Sequence, residues 1–313
     1  ETVVISGDTQ TDMRVVEATA QAAQALKAHP TVVWYETRPH AQMEPYPPVA
    51  AAVQAADVWI EYAVQYTLYT DARRKACENG CRYAAFGGLD VDALVRTIGQ
   101  VDFPTMVAMG EKLIALSQDV EILRITTALG TDFCCSTKGS EVWQSGRFGD
   151  EPGAAVMLGG QVVWSPEESS VNGTVVGDGL VWPPDDVGIV REPVTLHIEA
   201  GRITNIEGGT EARILKGWLD SLKDPNMMRI AHWNYGFNPG VTRFTGRVAE
   251  DERVFGVFCF GFGAWMDRPA ASHFDVVITA PTIVTDGVEI EREGKYEHPE
   301  LLEYCRQMGV AGY

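Results

Sequence analysis

The sequence predicts an α/β protein in two parts: an N-terminal parallel-sheet α/β domain over residues 1–120, then a mainly antiparallel β (α+β) domain over residues 121–313. Two patterns predict it. In the first third, short β-branched runs alternate with helical stretches, which implies right-handed crossovers and a parallel sheet. Beyond about residue 120, period-two segments broken by glycine take over and helical patterns become rare, as in mixed, mainly antiparallel sheets.

The elements follow in order. Thr2-Val3-Val4-Ile5-Ser6 is a strand by its β-branched content, and the Ala-rich stretch 13–28 is a helix. Thr31-Val32-Val33-Trp34-Tyr35 is the next strand, followed by a proline-rich loop over 39–48. Residues 49–55 read as helix, Ala56-Asp57-Val58-Trp59-Ile60 as a third strand, and 71–79 as a helix stopped by Gly80. Cys81-Arg82-Tyr83-Ala84-Ala85-Phe86 is strand again and 101–116 a helix. The turn after the first strand, Gly7-Asp8-Thr9-Gln10-Thr11-Asp12, lacks the G-x-G-x-x-G that close approach to a pyrophosphate requires, so no nicotinamide site is expected. In the second part, Glu121-Ile122-Leu123-Arg124-Ile125-Thr126-Thr127 alternates at period two. Gly160-Gln161-Val162-Val163-Trp164, Thr174-Val175-Val176-Gly177-Asp178-Gly179, Val194-Thr195-Leu196-His197-Ile198, Arg202-Ile203-Thr204-Asn205-Ile206 and Val276-Val277-Ile278-Thr279 continue the series. A helix over 211–222 interrupts it, with Trp218 and Leu219 on its apolar face.

Composition narrows the partners. A net charge of −18 argues against a nucleic-acid backbone or an anionic membrane as partner. No apolar run approaches the roughly 20 residues that span a bilayer. The chain opens at Glu1 without Met and without a leader pattern. Of the six cysteines, Cys77 and Cys81 are close together but lie across a helix end without a second pair at zinc spacing. Free thiols in a reducing cytoplasm are expected.

Ser272-His273-Phe274-Asp275 carries the sharpest chemical signal. His273 and Asp275 are two apart, so on a strand they share a face. His232, in Ala231-His232-Trp233-Asn234-Tyr235-Gly236-Phe237-Asn238-Pro239, is assigned to a loop and supplies a second imidazole. Two imidazoles and a carboxylate form the facial ligand set of Fe(II) sites, which keeps positions open for O2 and substrate. The same set with a bound water also suits a Zn or Mn hydrolase. A plainer account stands beside both: a turn-capping His232, a satisfied core His273 and a turn Asp275.

Six segments in chain order then carry a resemblance. They are Ala55-Ala56-Asp57-Val58, Thr67-Leu68-Tyr69-Thr70-Asp71-Ala72-Arg73, Gly130-Thr131-Asp132, Pro166-Glu167-Glu168-Ser169-Ser170-Val171-Asn172-Gly173-Thr174, Tyr235-Gly236-Phe237-Asn238-Pro239 and Ser272-His273-Phe274-Asp275. Over almost its whole length the chain resembles the aminopeptidase T/S (thermophilic metallopeptidase) superfamily, and most of all its 2,5-dihydroxypyridine 5,6-dioxygenase-like members. The peptidases resemble one another in a two-metal centre. At its positions this chain has Gln161 for one glutamate, His232 for the other and Cys259 for a histidine, and only His273 and Asp275 remain. A neutral amide cannot supply the charge that bridged dications need.

The resemblance therefore implies a mononuclear non-heme Fe(II), extradiol-type dioxygenase, with His232, His273 and Asp275 as metal ligands and the second domain as the metal-binding, catalytic one. The implied substrates are a hydroxylated aromatic or N-heteroaromatic ring and O2. A Zn- or Mn-dependent hydrolase, amidohydrolase or aminopeptidase-like, is the alternative. By resemblance, Glu168 is the candidate proton shuttle, and Tyr69 stands where relatives often carry His and would bond the substrate. Trp233 and Tyr235, flanking His232, are candidates for stacking on a substrate ring. Relatives form homo-oligomers, and the apolar C-terminal segment is a candidate interface.

Overall fold

The computed structural model describes residues 1–266 and 268–313. They gather into two compact units, one of residues 1–100 with 145–159 and one of residues 101–144 with 160–313.

The first unit holds the parallel sheet that the alternating pattern predicts. Its strands run in the order His29–Tyr35, Thr2–Asp8, Val58–Glu61, Arg82–Ala85 and Ala155–Met157. Helices Met13–Ala25, Pro47–Gln54 and Asp71–Glu78 lie between the first four of these in sequence. Side-chain caps start two of them: Asp12 accepts from the Arg14 N–H and Thr70 from the Arg73 N–H. No sequence pattern marks the fifth strand, which is only three residues long. The carboxylate of Glu61 is fully buried and accepts from the Thr67 N–H and hydroxyl at 3.0 and 2.9 Å and from the Tyr83 hydroxyl. Burial pushes its pKa up to about 7. These bonds tie the loop that carries Tyr69 to the end of the central strand Val58–Glu61.

The second unit is two antiparallel sheets. One has eight strands in the order Arg202–Gly208, Val194–Glu199, Asn172–Gly177, Asp132–Cys135, Leu123–Thr126, Thr282–Thr285, Val288–Arg292 and Lys295–Tyr296. The other has seven: Gly188–Ile189, Leu180–Trp182, Arg268–Ile278, Val257–Trp265, Ile230–Gly236, Gln161–Ser165 and Glu141–Gln144. An aromatic core lies between them. Phe133 of the first meets Phe260 of the second at 4.8 Å, and Trp164 stacks on Trp233 at 4.6 Å. The helix Thr210–Leu222 forms as expected, with Trp218 against Phe274 and Leu219 buried.

One expectation is corrected here. The segment around His232 is the strand Ile230–Gly236 rather than a loop. Its polar His232 and Asn234 and the Gly236–Pro239 turn residues mask the strand signal. The C-terminal segment forms the helix Pro299–Gln307, whose Leu301 and Cys305 fill this unit's own core. Among the described residues, no helix is long and apolar enough to cross a membrane. All six cysteines are free thiols.

Candidate metal centre

Three adjacent strands of the seven-stranded sheet build the centre, and period-two alternation sorts their side chains onto two faces. Trp233, Tyr235, Phe258, Phe260, Phe262, Phe274 and Val276 point into the aromatic core. The intervening residues His232, Asn234, Cys259, Gly261, His273 and Asp275 share the other face. Register completes the placement. His232 is opposite Gly261, and Gly261 is opposite Asp275 on its other side. Gly263 is opposite His273.

Gly261 is what allows the ligands to meet. A β-carbon built on it would stand 2.3 Å from His232 Nε2, so the imidazole lies across the strand in space that only glycine leaves. Trp265 packs on the same imidazole, with ring centroids 4.7 Å apart, and its indole N–H donates to Ser165.

His232 Nε2 lies 3.1 Å from His273 Nε2 and 3.5 Å from Asp275 Oδ1, and His273 Nε2 lies 3.3 Å from Asp275 Oδ1. One ion at roughly 2.1 Å from three donors needs them roughly 3.0–3.4 Å apart for octahedral or tetrahedral angles. The observed triangle fits. All three side chains are buried. His273 donates from Nδ1–H to the Ala264 carbonyl at 2.7 Å, which turns its bare Nε2 toward the triangle, as outer partners do for metal-bound histidines. Cys259 Sγ–H donates to Asp275 Oδ1 at 3.7 Å.

Electrostatics favours a cation. Burial, then the neighbouring His273, lowers the His232 pKa to about 3, so its imidazole is in the neutral, ligating form. Burial opposes the charge of Asp275, but the charge and hydrogen bond of His273 hold its carboxyl below the ordinary range. For His273 the same pairing outweighs burial and raises the pKa above the ordinary imidazole range. Protons therefore compete with a metal at His273 Nε2. Metal affinity is expected to fall as pH falls, with the onset above the ordinary imidazole pKa, in titrations against a buffered chelator. An affinity flat from about pH 8 to about pH 6 would contradict this geometry.

The other residues singled out by sequence are placed differently. Trp233 and Tyr235 alternate away from His232 into the core, where Trp233 stacks between Trp164 and Phe258 and the Tyr235 hydroxyl bonds Ser117. Neither can wall a ring at the centre, because strand alternation turns neighbours of His232 to the opposite face. Glu168 is clamped by Arg229 at 3.0 and 2.7 Å and by Arg268, whose guanidinium also donates to the carbonyls of Ile230 and Gly263. It ties together the starts of the two ligand strands. Tyr69 belongs to the first unit, with its backbone N–H donating to Gln42 Oε1 at 2.7 Å.

Sequence reasoning missed Trp265, Gly261, Glu252 and Arg253. The pair Gly261 and Gly263, set within an aromatic strand, was the available signal for the first two. No spacing marks the last two.

The family model described as NicX: 2,5-dihydroxypyridine 5,6-dioxygenase matches residues 1–298. The 2,5-dihydroxypyridine 5,6-dioxygenase of Pseudomonas putida is 24% identical, the match covering 96% of this chain and 92% of that protein. The solved structure of 2,5-dihydroxypyridine dioxygenase from Pseudomonas putida superposes with a TM-score of 0.82 at 23% identity, covering 96% of this chain and 93% of that one. Wild-type AmpT from Thermus thermophilus has a TM-score of 0.68 at 14% identity, with 95% and 94% covered.

Proposed function

The chain belongs to the 2,5-dihydroxypyridine 5,6-dioxygenase family, a family of ring-cleaving oxidoreductases, and on that premise we propose that His232, His273 and Asp275 hold one Fe(II) ion for cleavage of a hydroxylated pyridine ring. The buried triangle of donor atoms, 3.1 to 3.5 Å on a side, is the observation that supports this assignment. Two neutral imidazoles and one carboxylate on one side of an ion are the donor set of oxygen-activating iron sites. A two-metal centre of the peptidase kind would need a carboxylate at position 161, and Gln161 is neutral and already bonded to Arg253 and Glu252.

When bound, Fe(II) supplies the redox chemistry by which a ring and O2 react. The chain's own residues supply placement. Asp275 provides the single fixed negative charge within the triad, and His273 is held in one tautomer by the Ala264 carbonyl. Trp265 and Gly261 fix the plane of the His232 imidazole from two sides. Burial of the triad keeps bulk water from the ligand atoms, which strengthens each electrostatic contact. Glu168, saturated by two guanidinium groups, is assigned to holding the ligand strands rather than to moving protons.

Anaerobically purified protein loaded with Fe(II) is expected to consume O2 with 2,5-dihydroxypyridine, with loss of the ring's ultraviolet absorption. Iron-loaded protein that leaves a panel of hydroxypyridines and catechols intact would overturn this function.

A further inference from the structure

A second donor set abuts the first. The ligand atoms of Glu252, Cys259 and Asp275 lie within 4.8 Å of one another, all three residues are buried, and Asp275 belongs to both sets. Asn234, in register with Cys259 on the same sheet face and fully buried, makes no regular hydrogen bond through its amide. In donor chemistry alone this is a place for a second divalent ion beside the first.

The chain has put a cation of its own there. Arg253 has no exposed surface, although an arginine is almost never fully buried without a charge partner. Its Nη2 donates to Gln161 Oε1 at 2.6 Å and its Nη1 to the Ala249 carbonyl at 2.7 Å, and Nη1 stands 3.7 Å from Glu252 Oε2. The Gln161 amide in turn donates to the same Glu252 oxygen. Glu252 is thus enclosed by a guanidinium and by the amide that the guanidinium orients.

We infer that Arg253 restricts the centre to one metal ion, by pairing with Glu252 through a fixed Gln161 and repelling any dication that would bind Glu252, Cys259 and Asp275. This goes beyond the neutrality of Gln161, which removes an anionic ligand but supplies no opposing charge. In a buried site two like charges a few ångströms apart repel strongly, so a resident guanidinium and a dication are alternatives there. The guanidinium is covalently attached, so the effective concentration of the competitor does not depend on the medium.

The inference rests on the triad holding one ion, and the test separates the two. Metal-free protein is titrated with Co(II), bound metal is counted by elemental analysis, and the thiolate-to-cobalt charge-transfer absorption reports Cys259 ligation. Wild type is expected to bind one equivalent without the thiolate band. Arg253→Gln, which keeps hydrogen-bonding capacity and removes the charge, is expected to bind two and gain the band. Arg253→Lys, which keeps the charge, is expected to stay at one. Gln161→Glu, with Arg253 retained, is also expected to stay at one, whereas it would rise to two if the neutral amide alone set the number. Wild type binding no metal would sink the triad assignment itself. Wild type at one, with folded Arg253→Gln also at one and no band, would overturn the role of Arg253. If Arg253→Gln does not fold, two equivalents in Gln161→Glu would overturn it equally.

Discussion

His232→Ala is expected to abolish ring cleavage and lose iron without unfolding the chain. Losing an outer partner of a metal ligand typically costs roughly 10- to 100-fold in affinity or activity, and losing a ligand itself must cost more. With His232 gone, two donors from one strand remain, His273 and Asp275, 3.3 Å apart. Two adjacent ligands cannot hold an ion against solvent as three do. Stability responds separately. His232 is buried with an Nδ1 that makes no regular hydrogen bond, and such an orphan costs about 1–3 kcal/mol. Removing it offsets much of the cavity that alanine leaves, so the metal-free variant is expected to unfold within about 1 kcal/mol of wild type. Iron content, turnover and urea unfolding of the metal-free form are the three measurements. Full iron and unchanged turnover would show that the ion sits elsewhere.

Gly261→Ala is expected to mimic much of that loss although all three ligand residues are retained. The new methyl would stand 2.3 Å from His232 Nε2, 2.6 Å from Cδ2 and 2.7 Å from Cε1. The imidazole cannot retreat freely, because Trp265 packs on it with centroids 4.7 Å apart. It must therefore leave the triangle, or the strand must shift. Metal affinity should drop at least roughly 100-fold. A double-mutant cycle sharpens the test. If the glycine acts only through the imidazole, Gly261→Ala in a His232→Ala background costs nothing further in metal affinity. Additive losses would mean that the methyl damages the site by another route.

How much of this was legible in the chain depends on the distance over which each signal acts. The strand runs of the first unit were legible because β-branched residues and alternating helices are local features. Its fifth strand, Ala155–Met157, was not, because three residues carry no periodicity and joined the sheet only through tertiary pairing. His273 and Asp275 were readable from a spacing of two, which a strand converts directly into a shared face. His232 reads as a ligand from its residue type and from the resemblance, yet the sequence places it in a loop. That error carried Trp233 and Tyr235 with it, since neighbours in a loop can surround a ligand while neighbours in a strand cannot. Glu168 shows the limit from another side. Nothing in Glu167-Glu168-Ser169 announces that Arg229 and Arg268 will close on it from distant segments. The pairing of Arg253 with Gln161, 92 residues apart, is of the same kind, and only the fold brings them together.

The division of the seven-stranded sheet into a packed aromatic face and a polar face constrains how such an enzyme can change over generations. From His232 to Tyr235, beyond the register irregularity at Ile230, core residues and residues of the polar face occupy alternate positions. Point substitutions can therefore revise the chemistry at His232 or Asn234 while Trp233 and Tyr235 keep the two sheets together. A single inserted or deleted residue has no such freedom. It would send an imidazole into the apolar interior and an indole toward the ion, failing on both sides at once. Descendants of this strand can vary in letters but not in length, so new activities on this scaffold are reachable by exchange of side chains one at a time.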